Sequence, residues 1–246
     1  MIAPLRHAWL RSFSVQGSFN YDRMVGVGLA YVMEPLVRPM AGGEREPRYR
    51  RALGRAAAFF NAHPYFVTLA AAALARAEGD DLPEAQVTRF RNALIASLGS
   101  VGDRLVWAGW LPACSGLGLL VSAVVSPLVG AVTFLLTYNA LHLPLRWWGL
   151  RAGWQAGPQV AAALSGTRMQ RALRVAGRAA PFLAGAAIPV TAQWLAQGAP
   201  PAAFPGVAAA AVSALIIGKW LAPALGGVRI GLALVGTAFL VGLLWP

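Results

Sequence analysis

From Leu105 to Leu145 the chain carries no Asp, Glu, Lys or Arg. A helix that crosses a bilayer needs about 20 apolar residues. The stretch is therefore long enough for two spans. Ser126 and Pro127 sit near its middle, where a turn belongs. The pattern predicts spans over about 105–125 and 127–145. Three further apolar runs follow, at about 179–197, 204–222 and 230–245, broken by "QGAPPAAFPG" and "GKWLAPALGGVR". Their Ala and Gly content suits close helix–helix approach in lipid. Between the two groups lies "RWWGLRAGW", with Trp147, Trp148 and Trp154 among arginines, which predicts an interfacial belt. Residues 155–178 form a polar, basic connection of helical pattern, with Arg168, Arg171, Arg174 and Arg178 on one face.

The first hundred residues are patterned differently. "VQGSFNYDRM", Val15 to Met24, is too polar for lipid and too aromatic for a linker. "VGVGLAYVMEPL" behind it is short and interrupted for a span. Pro39, Gly42, Gly43 and Pro47 predict a loop. "RYRRALGRAAAFF", about 48–60, has the pattern of a basic amphipathic helix. It admits two readings: a helix lying on phospholipid headgroups, or a soluble helix with a solvated Arg face. Pro64 to Ala75 is about a dozen residues long, which predicts a buried or re-entrant helix. A helix over about 83–98 follows, with Asp81 as its expected cap and Pro83 in its first turn. The expected fold is an all-α membrane protein. It has about five transmembrane helices plus N-terminal amphipathic and re-entrant helices. Residues 1–103 form the N-terminal part and 104–246 the transmembrane bundle.

Charge sharpens this division. All 9 acidic residues lie at or before Asp103. Beyond it the only charged side chains are Arg and the single Lys219. The net charge of +12 does not point to nucleic acid, because the later arginines sit between apolar runs and form no aromatic-interleaved patch. Arg at the ends of apolar runs marks cytoplasmic loops. Five spans then place the N-terminus in the cytoplasm and the C-terminus outside. All basic clusters fall on one side. The lone Cys114 permits no intramolecular disulfide. "MIAPLRHAWLRSF" lacks the apolar core and cleavage site of a secretory signal.

The candidate chemistry is sparse. His7, His63 and His142 are scattered, so no metal site is expected. No phosphate loop or nucleophile elbow points to a cofactor or to catalysis. What remains are polar groups in unusual places: Gln16, Asn20, Asp22 and Arg23 in the opening stretch, Asn61 and His63 in "FFNAHPYF", Asp103 in "SLGSVGDRLVW", and Asn139 beside Tyr138 and His142. Polar groups near lipid are tolerated where they face a bundle interior or a polar cavity. Blander roles also fit: an interfacial pair for Asp103 and Arg104, an interhelical hydrogen bond for Asn139, and helix capping for Asn61. Gly26 and Gly28 form a lone GxG, which is weak evidence of any function.

Taken together, these residues resemble a family. "LRSFSVQGSFNYDRM" is similar to a pattern in component IID of the mannose/fructose/sorbose-type sugar phosphotransferase system: Arg-Ser, then Gln-Gly/Ala-Ser-aromatic-Asn-aromatic-acid-Arg-Met. Gln16, Ser18, Phe19, Asn20, Tyr21, Asp22, Arg23 and Met24 all match. "FFNAHPYF" is similar to the family's Phe-Phe-Asn-Thr-x-Pro-aromatic, and "LGSVGDRLVW" to its Gly-Ile-Gly-Asp-x-x-Phe-Trp. "TFLLTYNALHLPLRWWGLRAGWQAG" is like its Asn-containing span. Order and spacing agree over about 10–160. The chain departs from the pattern in "SLGSV", which lacks a Pro, in "RAEG", and in its short loop "QGAPPAAFPG".

The resemblance implies a IIC membrane subunit as partner, with the two forming the path of a hexose. It also implies soluble IIA and IIB phosphocarriers, with IIB phosphorylating the sugar and no phosphohistidine on IID itself. A trimer of IIC–IID pairs in the bacterial cytoplasmic membrane follows, in contact with membrane lipid. The candidate residues would line the sugar path or the IIC interface. An alternative is a diverged IID-like scaffold or sensor that recruits phosphocarriers without moving sugar.

Overall fold

Helices are the only regular elements among the described residues, which are 2–40 and 42–195 of a computed structural model. Helix α1 (Ile2–Arg11) leads through a 3₁₀ segment (Ser12–Ser18) into α2 (Gly26–Val37). Helix α3 (Pro47–Ala57) and a short 3₁₀ turn (Pro64–Phe66) precede α4 (Val67–Gly79). Then come α5 (Glu84–Gly102), a π-helical stretch (Asp103–Trp110) and α6 (Leu111–Val124), which run on as one rod of 41 residues. Helix α7 (Pro127–Ala156), the short α8 (Ala161–Ser165) and α9 (Thr167–Leu195) complete the order. The residues up to Ala192 belong to one compact unit. Among the described residues, three stretches are long and apolar enough to cross a membrane: Glu84–Val124, Pro127–Gln159 and Thr167–Trp194. The expected spans at 204–222 and 230–245 lie outside the described residues.

At the centre sits α4. Its sequence "VTLAAAALARAEG" is apolar on every side, as a helix buried all round must be. Leu69 to Ala73 are fully shielded. The buried helix expected from Pro64 onwards is thus present, starting at Val67 after the 3₁₀ turn. Helix α7 packs on one side of it through Gly149 and Gly153, one turn apart, and α2 packs on another. This is the small-residue contact by which helices approach closely in lipid.

The GxG at Gly26 and Gly28 has a packing role. Gly28 lies under Val15, whose carbonyl oxygen would be 2.8 Å from an added Cβ, and Gly26 lies under the Ala57 and Ala58 carbonyls. The 3₁₀ segment and the end of α3 cross α2 at these two points.

Several expectations change in detail. The amphipathic α3 buries Tyr49, Ala52 and Ala56, and three of its four arginines are held in ion pairs. Arg48 pairs with Asp81 at 2.7 Å, Arg51 with Glu84 at 3.3 Å, and Arg55 with Glu78 at 2.8 Å. The acids that answer this face lie some thirty residues downstream, out of reach of a local pattern. Asp81 is therefore an ion-pair partner in a left-handed turn (φ 57°), not the cap of α5. Pro83 occupies the cap position, without a side-chain hydrogen bond. The span expected from 105 begins as a helix at Glu84, and the basic stretch from Thr167 is continuous with the span that follows it.

A hub at Glu34 ties the N-terminal helices together. Its carboxylate accepts from Arg11 at 2.5 Å, Arg38 at 2.5 Å and Tyr49 at 2.9 Å. Burial pushes its pKa up, but the hydrogen bonds from Arg38, Tyr49 and Arg11 outweigh this and hold it below the ordinary glutamate value.

Candidate functional site

The turn after the 3₁₀ segment is closed by Asn20. Its Oδ1 accepts the Arg23 N–H at 2.8 Å, and its Nδ2 donates to the Ser18 carbonyl at 3.1 Å. The turn then bonds to the extended stretch ahead of Pro64. Phe60 N–H donates to Arg23 O at 3.1 Å, and Val25 N–H donates to Phe60 O at 3.1 Å. Arg91 clamps the same stretch, donating to the carbonyls of Ala58 and Phe59, each at 2.7 Å. His63, just before Pro64, is held extended (ψ 132°), as a pre-proline residue prefers. These bonds bring two distant motifs side by side.

The third motif arrives on the π-helical stretch. Pro112 lacks an N–H and crowds the carbonyl four residues back, so a regular α-ladder cannot run unbroken into α6. The wider π-turn accommodates this, and such turns are frequent at functional sites. It carries Asp103 and Trp107 to the same place.

The result is a cavity of about 400 Å³ lined by Gln16, Phe19, Asn61, His63, Asp103 and Trp107, among others. Gln16, Asn61 and Asp103 are exposed, and their side-chain polar atoms make no hydrogen bond to another described residue. His63 is different: it is 2% exposed. Its Nδ1 accepts the Tyr65 N–H at 3.2 Å, which leaves the proton on Nε2, and Nε2 has no partner. Trp107 tilts against its ring at 5.0 Å and Tyr65 meets it edge-on at 4.8 Å.

Burial, then the positive charge of Arg146, push the His63 pKa down to about 4 from 6.5. His63 is therefore neutral at pH 7. Between those values the unfolded chain binds a proton that the folded chain refuses. Stability is fully present above about pH 6.5 and falls as the pH drops, until the loss is complete near 4. The loss is on the order of 3 kcal/mol. Unfolding of wild type and His63→Gln, compared from pH 7 to 4, checks this. The wild type should lose more stability; parallel curves would refute it.

Of the residues expected from the sequence, Gln16, Asn61, His63 and Asp103 meet in this cavity. Asn20, Asp22 and Arg23 are exposed on the adjoining turn. Asn139 belongs elsewhere. It is half-buried on α7, where its Nδ2 donates to Leu135 O at 2.8 Å and its Oδ1 accepts from His142 Nδ1 at 3.3 Å. Arg146 Nε then donates to His142 Nε2 at 2.7 Å, and its Nη1 donates to Ser12 O. Tyr65 stacks on His142 at 4.1 Å and its hydroxyl meets that of Tyr138. Arg146 is thus no part of an exposed belt: it is 2% exposed, between the rings of Phe13 and Tyr65. The spacing 139, 142, 146 places these groups on one helical face, a signal legible in the sequence. Phe19 and Trp107 are the aromatic cavity residues that polarity alone did not single out.

The chain matches the family model described as "PTS system mannose/fructose/sorbose family IID component" over residues 3–195. It is 30% identical over 168 residues to the sorbose-specific EIID component of Klebsiella pneumoniae, covering 66% of this chain and 60% of that relative. It is 28% identical over 192 residues to the mannose-specific EIID component of Escherichia coli K12, covering 76% of this chain and 67% of the relative. The chain thus spans about three-fifths to two-thirds of the length of these relatives. Its fold is similar to a chain in a cryo-EM structure of mannose transporter ManYZ in complex with microcin E492, with TM-score 0.60, 25% identity, and coverage of 76% of this chain and 69% of that one. A second solved membrane protein matches in fold with TM-score 0.67. The motifs of the opening stretch, the Asn-containing stretch and the Asp-containing π-turn all lie within the matched region, and the chain belongs to the IID-component family of the mannose/fructose/sorbose phosphotransferase system.

Proposed function

We propose that this chain is the IID subunit of a mannose-type permease, paired with a IIC subunit, and that its cavity at Gln16, Asn61, His63 and Asp103 forms part of the hexose path. The observation that carries the reading is the chemistry gathered there. A carboxylate can accept from two hydroxyls. Two amides can each donate and accept. A neutral imidazole N–H is left without a partner, and indole and phenyl faces can cover the C–H face of a sugar ring. The side chains at the rim are exposed, so a partner subunit has room to complete the site. In this reading IIB phosphorylates the sugar, IIA supplies IIB, the IIC–IID pairs form a trimer, and the arginine-rich ends face the cytoplasm.

The test is hexose binding and phosphoenolpyruvate-dependent uptake by the complex reconstituted with its IIC partner. Asp103→Asn, Gln16→Ala and Asn61→Ala should each weaken hexose affinity by about tenfold to a hundredfold, the worth of one charged or fully buried hydrogen bond, while the complex still assembles. Unchanged affinity in all three would sink the path reading. Loss of co-purification with IIC would instead assign them to the interface. No observation favours a scaffold that binds phosphocarriers without moving sugar; absence of flux alongside phosphocarrier binding would establish it.

A further inference from the structure

A second cavity, of about 600 Å³, lies at the far end of α7, with Arg6, Arg76, Arg151, Trp147, Trp154 and Leu5 among its lining. Arginines therefore come from α1, α4 and α7, three elements far apart in sequence. Arg76 is answered by Asp80 at 2.9 Å. No carboxylate among the described residues lies within 4.0 Å of Arg6 or Arg151. Nor can the rest of the chain offer an acidic side chain, since all 9 acids lie at or before Asp103. The cavity holds unanswered positive charge beside two indoles.

Its depth follows from helix geometry. Helix α7 has 30 residues. At about 1.5 Å per residue, its first 20 or so cross the roughly 30 Å hydrocarbon layer. Counted from the turn at Ser126, that layer ends near Arg146. Trp147, Arg151 and Trp154 then stand at headgroup level. Helix α1 runs antiparallel to this end of α7: Leu5 shares a cleft with Trp154, Trp9 meets Trp147 at 6.4 Å, and Phe13 meets His142 at 5.9 Å. The C-terminal half of α1 therefore points back toward the hydrocarbon. A further cleft of about 310 Å³, formed by Arg6, Trp9, Leu10 and Trp147, adjoins the arginine chamber on that side. Leu10, at its edge, is 60% exposed.

We infer that this chamber binds the phosphate of an anionic membrane phospholipid, with Arg6 and Arg151 as its main partners and an acyl chain laid over Trp147, Trp9 and Leu10. Guanidinium forks match phosphate oxygens geometrically, and a basic pocket between helices at this depth is where an acidic headgroup is held. The inference rests on α7 crossing the bilayer and is independent of the sugar reading.

The experiment is native mass spectrometry of the full chain in neutral detergent, titrated with phosphatidylglycerol, phosphatidylcholine or inorganic phosphate. Phosphatidylglycerol should be retained and phosphatidylcholine retained much less. Arg6→Gln with Arg151→Gln should lower the apparent affinity for phosphatidylglycerol by about tenfold or more. Arg89→Gln, at an exposed site on α5, should not. Should the double variant fail to fold, the exposed Arg6→Gln alone gives the same reading with a smaller drop. Three results overturn the inference: wild-type retention in the arginine variants, equal retention of both lipids, or displacement of the lipid by equimolar inorganic phosphate, which would mark a free-phosphate site.

Discussion

Valine at Gly153 should prevent the folded protein from accumulating, and valine at Gly149 should come close to doing so. A Cβ at Gly149 would stand 2.5 Å from Thr68 Oγ1 and 3.2 Å from Leu69 N. At Gly153 it would run into the Leu69 carbonyl, with Ala73 N at 3.0 Å and Ala72 Cβ at 3.1 Å. Several of these are backbone atoms of α4, which cannot rotate away. Helix α4 cannot translate either, since α2 and α5 pack against it as well. The cost should be about 3 kcal/mol or more for each valine, the upper end for overpacking. That is a large share of a typical folding free energy of about 5–15 kcal/mol. Thermal unfolding and the yield of monodisperse protein in detergent check the expectation. Gly177→Val, where an added Cβ meets nothing within 4 Å, serves as the control. A Gly153→Val protein that melts with the wild type would show that α4 and α7 are not held at this distance.

The second large effect is expected at Arg146. Its guanidinium donates to His142 Nε2 and to the Ser12 carbonyl, and it lies 4.6 Å from the Tyr65 ring centroid and 5.2 Å from that of Phe13. No carboxylate among the described residues lies within 4.0 Å of it. The cation is held by neutral acceptors and π-faces instead of an ion pair. Arg146→Ala removes two hydrogen bonds, leaves the Ser12 carbonyl buried without its donor, and opens a void between two rings. The summed loss is about 3–5 kcal/mol, partly offset because a buried charge no longer needs to be desolvated. Lysine should not rescue it, because an ammonium cannot lie flat between two rings and reach both acceptors. The failure should be local: the segment Ser12–Ser18 should detach from α7 and become open to protease while α4–α7 stays helical. Limited proteolysis with circular dichroism separates this from global unfolding. Resistance equal to wild type in Arg146→Ala would mean that the segment is held by other contacts.

Because Gln16 lies within this segment, Arg146 also bears on the cavity. Detachment of Ser12–Ser18 would remove Gln16 and Phe19 from beside Asn61 and His63. Arg146 acts on the proposed sugar path as a positioning residue, through the backbone of Ser12.

Much of this was legible in one dimension. Uncharged length marked the membrane helices, and Ser126–Pro127 marked the turn between two of them. The apolar stretch from Pro64 to Ala75, too short for a span, marked a buried or re-entrant helix. The polar motifs were visible because amides, imidazole and carboxylate are costly beside lipid and stand out there. What stayed hidden has one physical cause: contacts between residues far apart in the chain leave no local period. The acids that answer α3 lie beyond α4. One of the two acceptors of Arg146 is the Ser12 carbonyl oxygen, which no side-chain pattern encodes. Asp81 has the composition of a helix cap, but Arg48 competes for its carboxylate and wins.

By itself, then, the sequence determined that this is a helical membrane chain, where its main spans lie, and which polar residues demand an explanation. Only the tertiary structure decided that Gln16, Asn61, His63 and Asp103 share one cavity while Asn139 joins another network. Backbone hydrogen bonds to Phe60 and the crossing of Val15 over Gly28 made that choice, and both are contacts between segments; the π-turn ahead of Pro112, a local feature, only presents Asp103 and Trp107 to the place they form.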